Sequence, residues 1–344
     1  MADTKKIGTL VMSNSRDTQK LLARILSEDS RFKVLQDVED NPDVIVIDVE
    51  DTGLDSFSWL KRFLAQHPIP TLVISSKSTR GKKVTIDALS LGAVDVLIKP
   101  EGGALYNDPA FIEKLTKRIQ FASITKVRSS TSRPFVYAPE VTPPLAQKAG
   151  AHAAERVIAI GTSAGGVAAL SKIIPMFPVD SPCILIVQHM PPGFTDKFAE
   201  RLDRFSTIDV KEAEHRDMLR PGLALLAPGG NRHMRVSPFR QGYCVRLETG
   251  ERVSRHQPSV DALFLSVAEQ FGPNGIGVLL TGMGSDGAKG LLAIRMSGGR
   301  AIAQDDNTSV VFGLSAAAWE MGAVERLLPL DKIPSHLLQV LSEE

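Results

Sequence analysis

The sequence predicts an α/β protein made of two doubly wound parallel-sheet domains. Three observations carry that prediction. Short apolar runs that read as strands buried on both faces alternate with helical patterns along most of the chain. A stretch rich in Ser, Thr, Pro and Ala, 123–153, interrupts the alternation and has no sustained periodicity. The length of 344 residues is that of two ordinary domains. The expected boundaries are 1–122 for the first domain, 123–153 for a linker and 154–344 for the second domain.

In the first domain the strand-like runs are Lys6 to Met12, Phe32 to Leu35, Val44 to Val49, Thr71 to Ser75 and Asp95 to Ile98. Leu21, Leu22, Ile25 and Leu26 give one helix an apolar stripe, and Phe111, Ile112, Leu115 and Ile119 give the last helix another. Parallel neighbours usually need a dozen or more connecting residues. Gln36 to Asp43 is too short for a crossover helix, so an extended crossing is expected there. In the second domain strands are expected at Arg156 to Ile160, Cys183 to Val187 and Gly277 to Leu280. A hairpin is expected over Gly222 to Leu247, with Pro228-Gly229-Gly230 as its turn.

Bulk composition removes several classes of function. Lys+Arg of 40 against Asp+Glu of 39 leaves a formal charge of +1, so no nucleic-acid-binding surface is expected. Two cysteines, Cys183 and Cys244, make no disulfide framework and read as buried thiols. No apolar run approaches the roughly 18 residues needed to span a bilayer. The Met-Ala-Asp-Thr-Lys-Lys start lacks the apolar core of a signal peptide. A soluble cytoplasmic protein, not inserted in a membrane, is the expectation.

The chemistry lies in three loops, each following a predicted strand of the second domain. They are Gly161-Thr162-Ser163-Ala164-Gly165-Gly166, Gln188-His189-Met190-Pro191 and Thr281-Gly282-Met283-Gly284-Ser285-Asp286-Gly287. Parallel strands end on one edge of the sheet, and ligands bind along that edge. The loops should therefore meet there, bringing a serine, a histidine and an aspartate: a nucleophile, a base and an orienting carboxylate. Gly161 to Gly165 fits the Gly-x-Ser-x-Gly strand-to-helix turn, which sets a serine at a helix start rich in free N–H groups. The same turn could hold a dinucleotide. That reading wants an acidic residue at the end of the next strand, where this chain has Gln188-His189. The rival histidines His215, His233 and His256 stand in less strand-like surroundings.

From about Arg156 to Leu341 the chain closely resembles the catalytic domain of the chemotaxis protein-glutamate methylesterase (CheB) family. Besides the three loops, Pro192-Gly193-Phe194-Thr195, Pro258-Ser259-Val260-Asp261 and Val310-Val311-Phe312-Gly313 fit it. The resemblance implies hydrolysis of glutamate γ-methyl esters on chemoreceptor helices, with release of methanol, and often deamidation of receptor glutamines. It implies Ser163 as nucleophile, His189 as general base and then acid, and Asp286 as orienter. Support for the oxyanion would come from the Met283 N–H, with Ala164 and Gly284 alongside. Ala164 departs from the threonine of many relatives, and Ser315 from a common proline. The implied partners are the cytoplasmic helices of a methylated chemoreceptor and the histidine kinase of a chemosensory array. No cofactor is implied. Arg201, Arg204, Arg232 and Arg235 are candidates to face acidic receptor helices. A non-catalytic scaffold and a hydrolase of small esters are the alternative functions.

The first domain resembles the receiver of the same family. Asp48 stands at the phospho-acceptor position, and Ser75 and Lys99 at the two positions that respond to phosphorylation. The acidic pair that helps such domains hold Mg²⁺ is replaced by Ser13 and Asn14. A hard cation favours carboxylates, so no working metal site is expected, and phosphoryl transfer to Asp48 would lack charge neutralisation. The expectation is a degenerate receiver, kept as a docking or inhibitory cap.

Overall fold

A computed structural model describes residues 5–49, 62–64, 66–100, 108–125, 145 and 155–343. Of the expected linker, only 123–125 and 145 lie within the described residues. The chain divides into two compact units, Met1–Ala138 and Pro139–Glu344.

The first unit runs β1 (Ile7–Met12), α1 (Arg16–Ser27), β2 (Phe32–Leu35), β3 (Val44–Asp48), β4 (Thr71–Ser75), α2 (Thr79–Ser90), β5 (Asp95–Ile98) and α3 (Pro109–Ser123). The five strands are parallel, in the order β2-β1-β3-β4-β5. Every residue of β3 and β4 is buried, as their unbroken apolar runs require. Helix α1 begins where the Ser15 hydroxyl accepts the Thr18 N–H. It buries Leu22, Ile25 and Leu26, and α3 buries Phe111, Leu115 and Ile119. Each such side chain contributes roughly 1.5–3 kcal/mol of burial. Between β2 and β3 the chain makes a single 3₁₀ turn, Val38–Asp40, capped by the Asp37 carboxylate. The expected absence of a crossover helix there agrees with this.

The second unit contains β6 (Val157–Thr162), α4 (Gly166–Ile173), β7 (Cys183–Gln188), α5 (Thr195–Phe205), β8 (Asp209–Glu212), β9 (Leu223–Leu226), β10 (His233–Phe239) and β11 (Gly242–Glu248). It continues through α6 (Val260–Phe271), β12 (Gly275–Leu279), α7 (Ala288–Met296), β13 (Arg300–Gln304), α8 (Leu314–Glu320), β14 (Arg326–Leu328) and α9 (Ile333–Glu343). Seven parallel strands form one sheet in the order β14-β13-β12-β6-β7-β9-β8. The chain enters at β6, builds outward through β7, then returns to β12 on the other side of β6. The strand order thus reverses at β6, which is where open α/β sheets form their binding crevice.

The expected hairpin over Gly222 to Leu247 is corrected. Leu223–Leu226 is a fully buried strand of the main sheet, parallel to β7 and β8. The hairpin is β10 with β11, antiparallel, turning at Arg240-Gln241 with Arg240 at φ 54. Pro228-Gly229-Gly230 carries the chain from sheet to hairpin. A Cβ at Gly229 would lie 2.7 Å from the Pro191 carbonyl, so this loop passes close against the one after β7. Helix α6 then packs on α7, on β6 and on the hairpin, where the Ser266 hydroxyl accepts the Val236 N–H.

Candidate active site

Three adjacent strands, β12, β6 and β7, deliver the three predicted loops to one edge. The loop after β6 and the loop after β12 are joined by the Ser163 N–H donating to the Thr281 carbonyl at 3.1 Å. The Thr162 hydroxyl donates to the same carbonyl at 2.8 Å. The loop after β7 joins through the His189 N–H to the Thr162 carbonyl at 3.1 Å, and the Gln188 amide to the Ser163 carbonyl at 2.9 Å. Gly165, at φ 76, turns the chain into α4 and leaves no room for a side chain: a Cβ there would stand 2.7 Å from that of Val310. Gly161 lies within β6, and its lack of a side chain lets Val260 of α6 pack directly on the strand.

His189 and Asp286 meet. His189 Nε2 lies 2.8 Å from Asp286 Oδ2. The carboxylate is buried, at 1% exposure, and receives three further hydrogen bonds, all from the start of α6. The Ser259 hydroxyl donates at 2.7 Å, the Val260 N–H at 2.8 Å and the Asp261 N–H at 3.0 Å. Burial raises the Asp286 pKa, but the bonds from His189, Asp261 and Ser259 outweigh it and hold the group below the ordinary carboxylate value. The free N–H groups and dipole of the α6 N-terminus favour the same charge. An ionised Asp286 accepts, so His189 donates from Nε2, and the neutral tautomer assigned from this bond carries its lone pair on Nδ1. That Nδ1 is buried and has no hydrogen-bond partner. The Ser163 side chain is half-buried and makes no hydrogen bond to the imidazole in this resting state. Catalytic contacts of this kind commonly tighten only when substrate binds.

The loop of Met283 and Gly284 is clamped by the Val310–Gly313 segment. The Gly282 N–H donates to the Val311 carbonyl, and the Gly313 and Leu314 N–H groups donate back to the Gly282 carbonyl, all at 2.9–3.0 Å. The Thr281 hydroxyl links this clamp to the serine loop by donating to the Ala164 carbonyl at 2.9 Å and accepting the Val311 N–H at 2.9 Å. Met283 is half-buried and Gly284 exposed at φ 89. Among the described residues the Met283 N–H has no acceptor, so it remains open to a ligand.

Sequence reasoning placed the three loops but missed the group that holds Asp286. Ser259, Val260 and Asp261 carried a visible signal, a serine N-cap before an apolar helix, yet nothing in that signal names the residue it binds. His256, set aside in the sequence as a rival to His189, also reaches the site. Its ring stacks on His189 with centroids 4.0 Å apart and planes 5° from parallel. Burial, and then the neighbouring His189, lower its pKa from the ordinary histidine value. The other two rivals are structural. His233 is buried and bonded to the Glu251 carbonyl and the Ser259 N–H, while His215 accepts the Leu247 N–H. Of the candidate arginines, Arg235 is engaged by the Ala262 carbonyl and Glu248, and Arg201 lies over the Phe205 ring. Arg204 and Arg232 are exposed.

In the first unit, Asp48 is 1% exposed and bound by the Lys99 ammonium at 2.8 and 2.9 Å. The Ser13 hydroxyl makes a longer contact to the same carboxylate, at 3.4 Å, and Asn14 is exposed. The Ser75 hydroxyl donates to the Gly81 carbonyl at 3.1 Å. Residues 13 and 14 thus carry a neutral hydroxyl and an amide, and Lys99 forms an ion pair with Asp48.

The profile of the CheB methylesterase family matches residues 158–337, which include all three loops. The chain belongs to the CheB methylesterase family. The protein-glutamate methylesterase/protein-glutamine glutaminase of Sulfurimonas denitrificans is 40% identical over 98% of this chain and 99% of its own. The enzyme of the same name numbered 2 in Pseudomonas aeruginosa is 39% identical over 97% and 96%. Among solved structures, the CheB methylesterase catalytic domain of Thermotoga maritima is 38% identical, with a TM-score of 0.52, over 54% of this chain and 98% of that one. The CheB relatives match across both units, so the receiver-like half belongs to the same alignment. Among the described residues no helix is long and apolar enough to cross a membrane.

Proposed function

We propose that the chain hydrolyses glutamate γ-methyl esters on the cytoplasmic helices of a chemoreceptor, using Ser163, His189 and Asp286. The observation that carries this is the His189–Asp286 pair at the reversal point of a CheB-family sheet, stitched to the loop of Ser163. The Nε2–H of His189 is committed to Asp286, and Nδ1 is left to take the serine proton as Oγ attacks the ester carbonyl. Asp286 stabilises the imidazolium that forms. The N–H groups of the Met283–Gly284 loop and the start of α4 receive the oxyanion, commonly the largest catalytic contribution. The imidazolium returns its proton to the leaving methoxide, methanol departs, and water attacks the glutamyl-serine ester with His189 again as base. A receptor glutamine would follow the same course with ammonia leaving, which is the glutaminase activity carried in the relatives' names.

Methanol release from a methylated receptor fragment tests this reading. A protonated base cannot accept, so the rate should fall on acidification; a rate that acid leaves unchanged would count against His189 as the base. A scaffold would release none. A general esterase would instead turn over soluble methyl esters as readily as the receptor.

The first unit, within the boundaries 1–122 and joined through the linker 123–153, serves in this reading as a docking or inhibitory cap facing receptor and kinase. Ser13 and Asn14 supply no charge to hold Mg²⁺ beside Asp48. Incubation with acetyl phosphate and Mg²⁺ should therefore leave the intact mass unchanged. A stoichiometric gain of one phosphoryl group, lost in Asp48→Asn, would overturn the assignment.

A further inference from the structure

Outside the three predicted loops, the segment Glu251–Gln257 also reaches the site. It does so at the expense of two adjacent non-glycine residues in the left-handed region, Ser254 at φ 49 and Arg255 at φ 69. Such backbone persists where the surroundings over-determine it. Here the Ser254 hydroxyl donates to Asp261 at 2.6 Å, and the Ser254 carbonyl accepts His256 Nδ1–H at 2.8 Å. Both bonds fix where the His256 ring lies.

We propose that His256 is a positioning residue for the base: its ring, laid flat against His189, fixes the plane from which His189 Nδ1 accepts the serine proton. The inference rests on the esterase reading of the site. A hydrogen bond to Asp286 alone leaves the imidazole free to rock about the Nε2···Oδ2 line. A parallel ring 4.0 Å away removes that freedom on one side. The groups facing His256 are His189, Asp286 at 3.9 Å and Arg252 on its own loop. Burial and His189 favour its neutral form, so the shelf adds no charge against the imidazolium that forms during catalysis.

The competing reading is a metal site, because donor atoms of His189, His256 and Asp286 all lie within 4.8 Å of one another. The ring planes are 5° from parallel, so their nitrogen lone pairs run side by side and do not converge on one ion. Both Asp286 oxygens are already taken by protein donors.

The test compares full-length wild type with His256→Ala and His256→Phe. His256→Ala should lower kcat about 10- to 100-fold with KM within about 2-fold, the cost of a slightly misplaced catalytic group. His256→Phe keeps a flat ring and should recover to within about 3-fold of wild type, which a merely structural histidine would not predict. NMR relaxation of the His189 ring supplies a readout that does not depend on turnover: an ordered ring in wild type and His256→Phe, a mobile ring in His256→Ala, with the proton on Nε2 in all three. An unchanged kcat and ring order in His256→Ala overturns the proposal, as does a phenylalanine variant as slow as the alanine one. If wild type releases no methanol, the esterase reading fails, and the relaxation alone still decides whether His256 orders His189. Tight binding of Zn²⁺ that requires His256 and is reversed by a chelator would replace the shelf with an ion site.

Discussion

Ser163→Ala should reduce methanol release from a methylated receptor fragment by about 10⁴-fold or more. The change removes one oxygen from a half-buried side chain and no contact that holds the fold. The contacts made by residue 163 are backbone ones: its N–H to Thr281, and its carbonyl to Gln188 and Gly166. Alanine keeps all three. The thermal midpoint should accordingly move little, so that lost activity with a retained fold identifies the nucleophile. Substantial residual release would place the attacking group elsewhere, with water activated directly by His189 the first candidate.

Asp286→Asn should be nearly as severe, lowering kcat on the order of 10⁴-fold, as expected when an orienting carboxylate becomes an amide and the base takes the wrong tautomer. The argument is a count of donors. Asp286 accepts from His189, the Ser259 hydroxyl and the Val260 and Asp261 N–H groups. An asparagine presents one oxygen and an NH₂ group that must face donors. Either the imidazole flips its proton to Nδ1, which disarms it toward serine, or the start of α6 loses a bond. The second outcome also destabilises the protein, by roughly 1–3 kcal/mol for an unsatisfied buried donor. Urea unfolding separates the two, and a fully active Asp286→Asn would remove Asp286 from the mechanism. Asp286→Glu tests geometry alone, since it keeps the charge and moves it by one methylene.

Most strands were legible because their runs are apolar on both faces, and that pattern survives without any knowledge of neighbours. Leu223–Leu226 shows the limit. Its four consecutive buried residues carry no alternation and so fit a central parallel strand, yet the adjacent Pro-Gly-Gly drew it into a hairpin. The glycine there answers a close approach to Pro191, 38 positions away, which no local pattern encodes. The serine, histidine and aspartate were legible because each follows a strand. The hands that hold them were not. Ser259 reaches Asp286 across 27 positions, and His256 reaches His189 only through a left-handed backbone at residues with no glycine to announce it.

The neutral Ser13 and Asn14 have a consequence for the cell under the proposal made for the first unit. If Asp48 takes up no phosphoryl group for want of a metal site, the demethylation rate loses its fast input. The gain of such a receptor pathway would be set by how much of this protein is made and where it is recruited. Adaptation would then run on the timescale of expression and localisation, giving a slow, fixed set point in place of feedback within each stimulus.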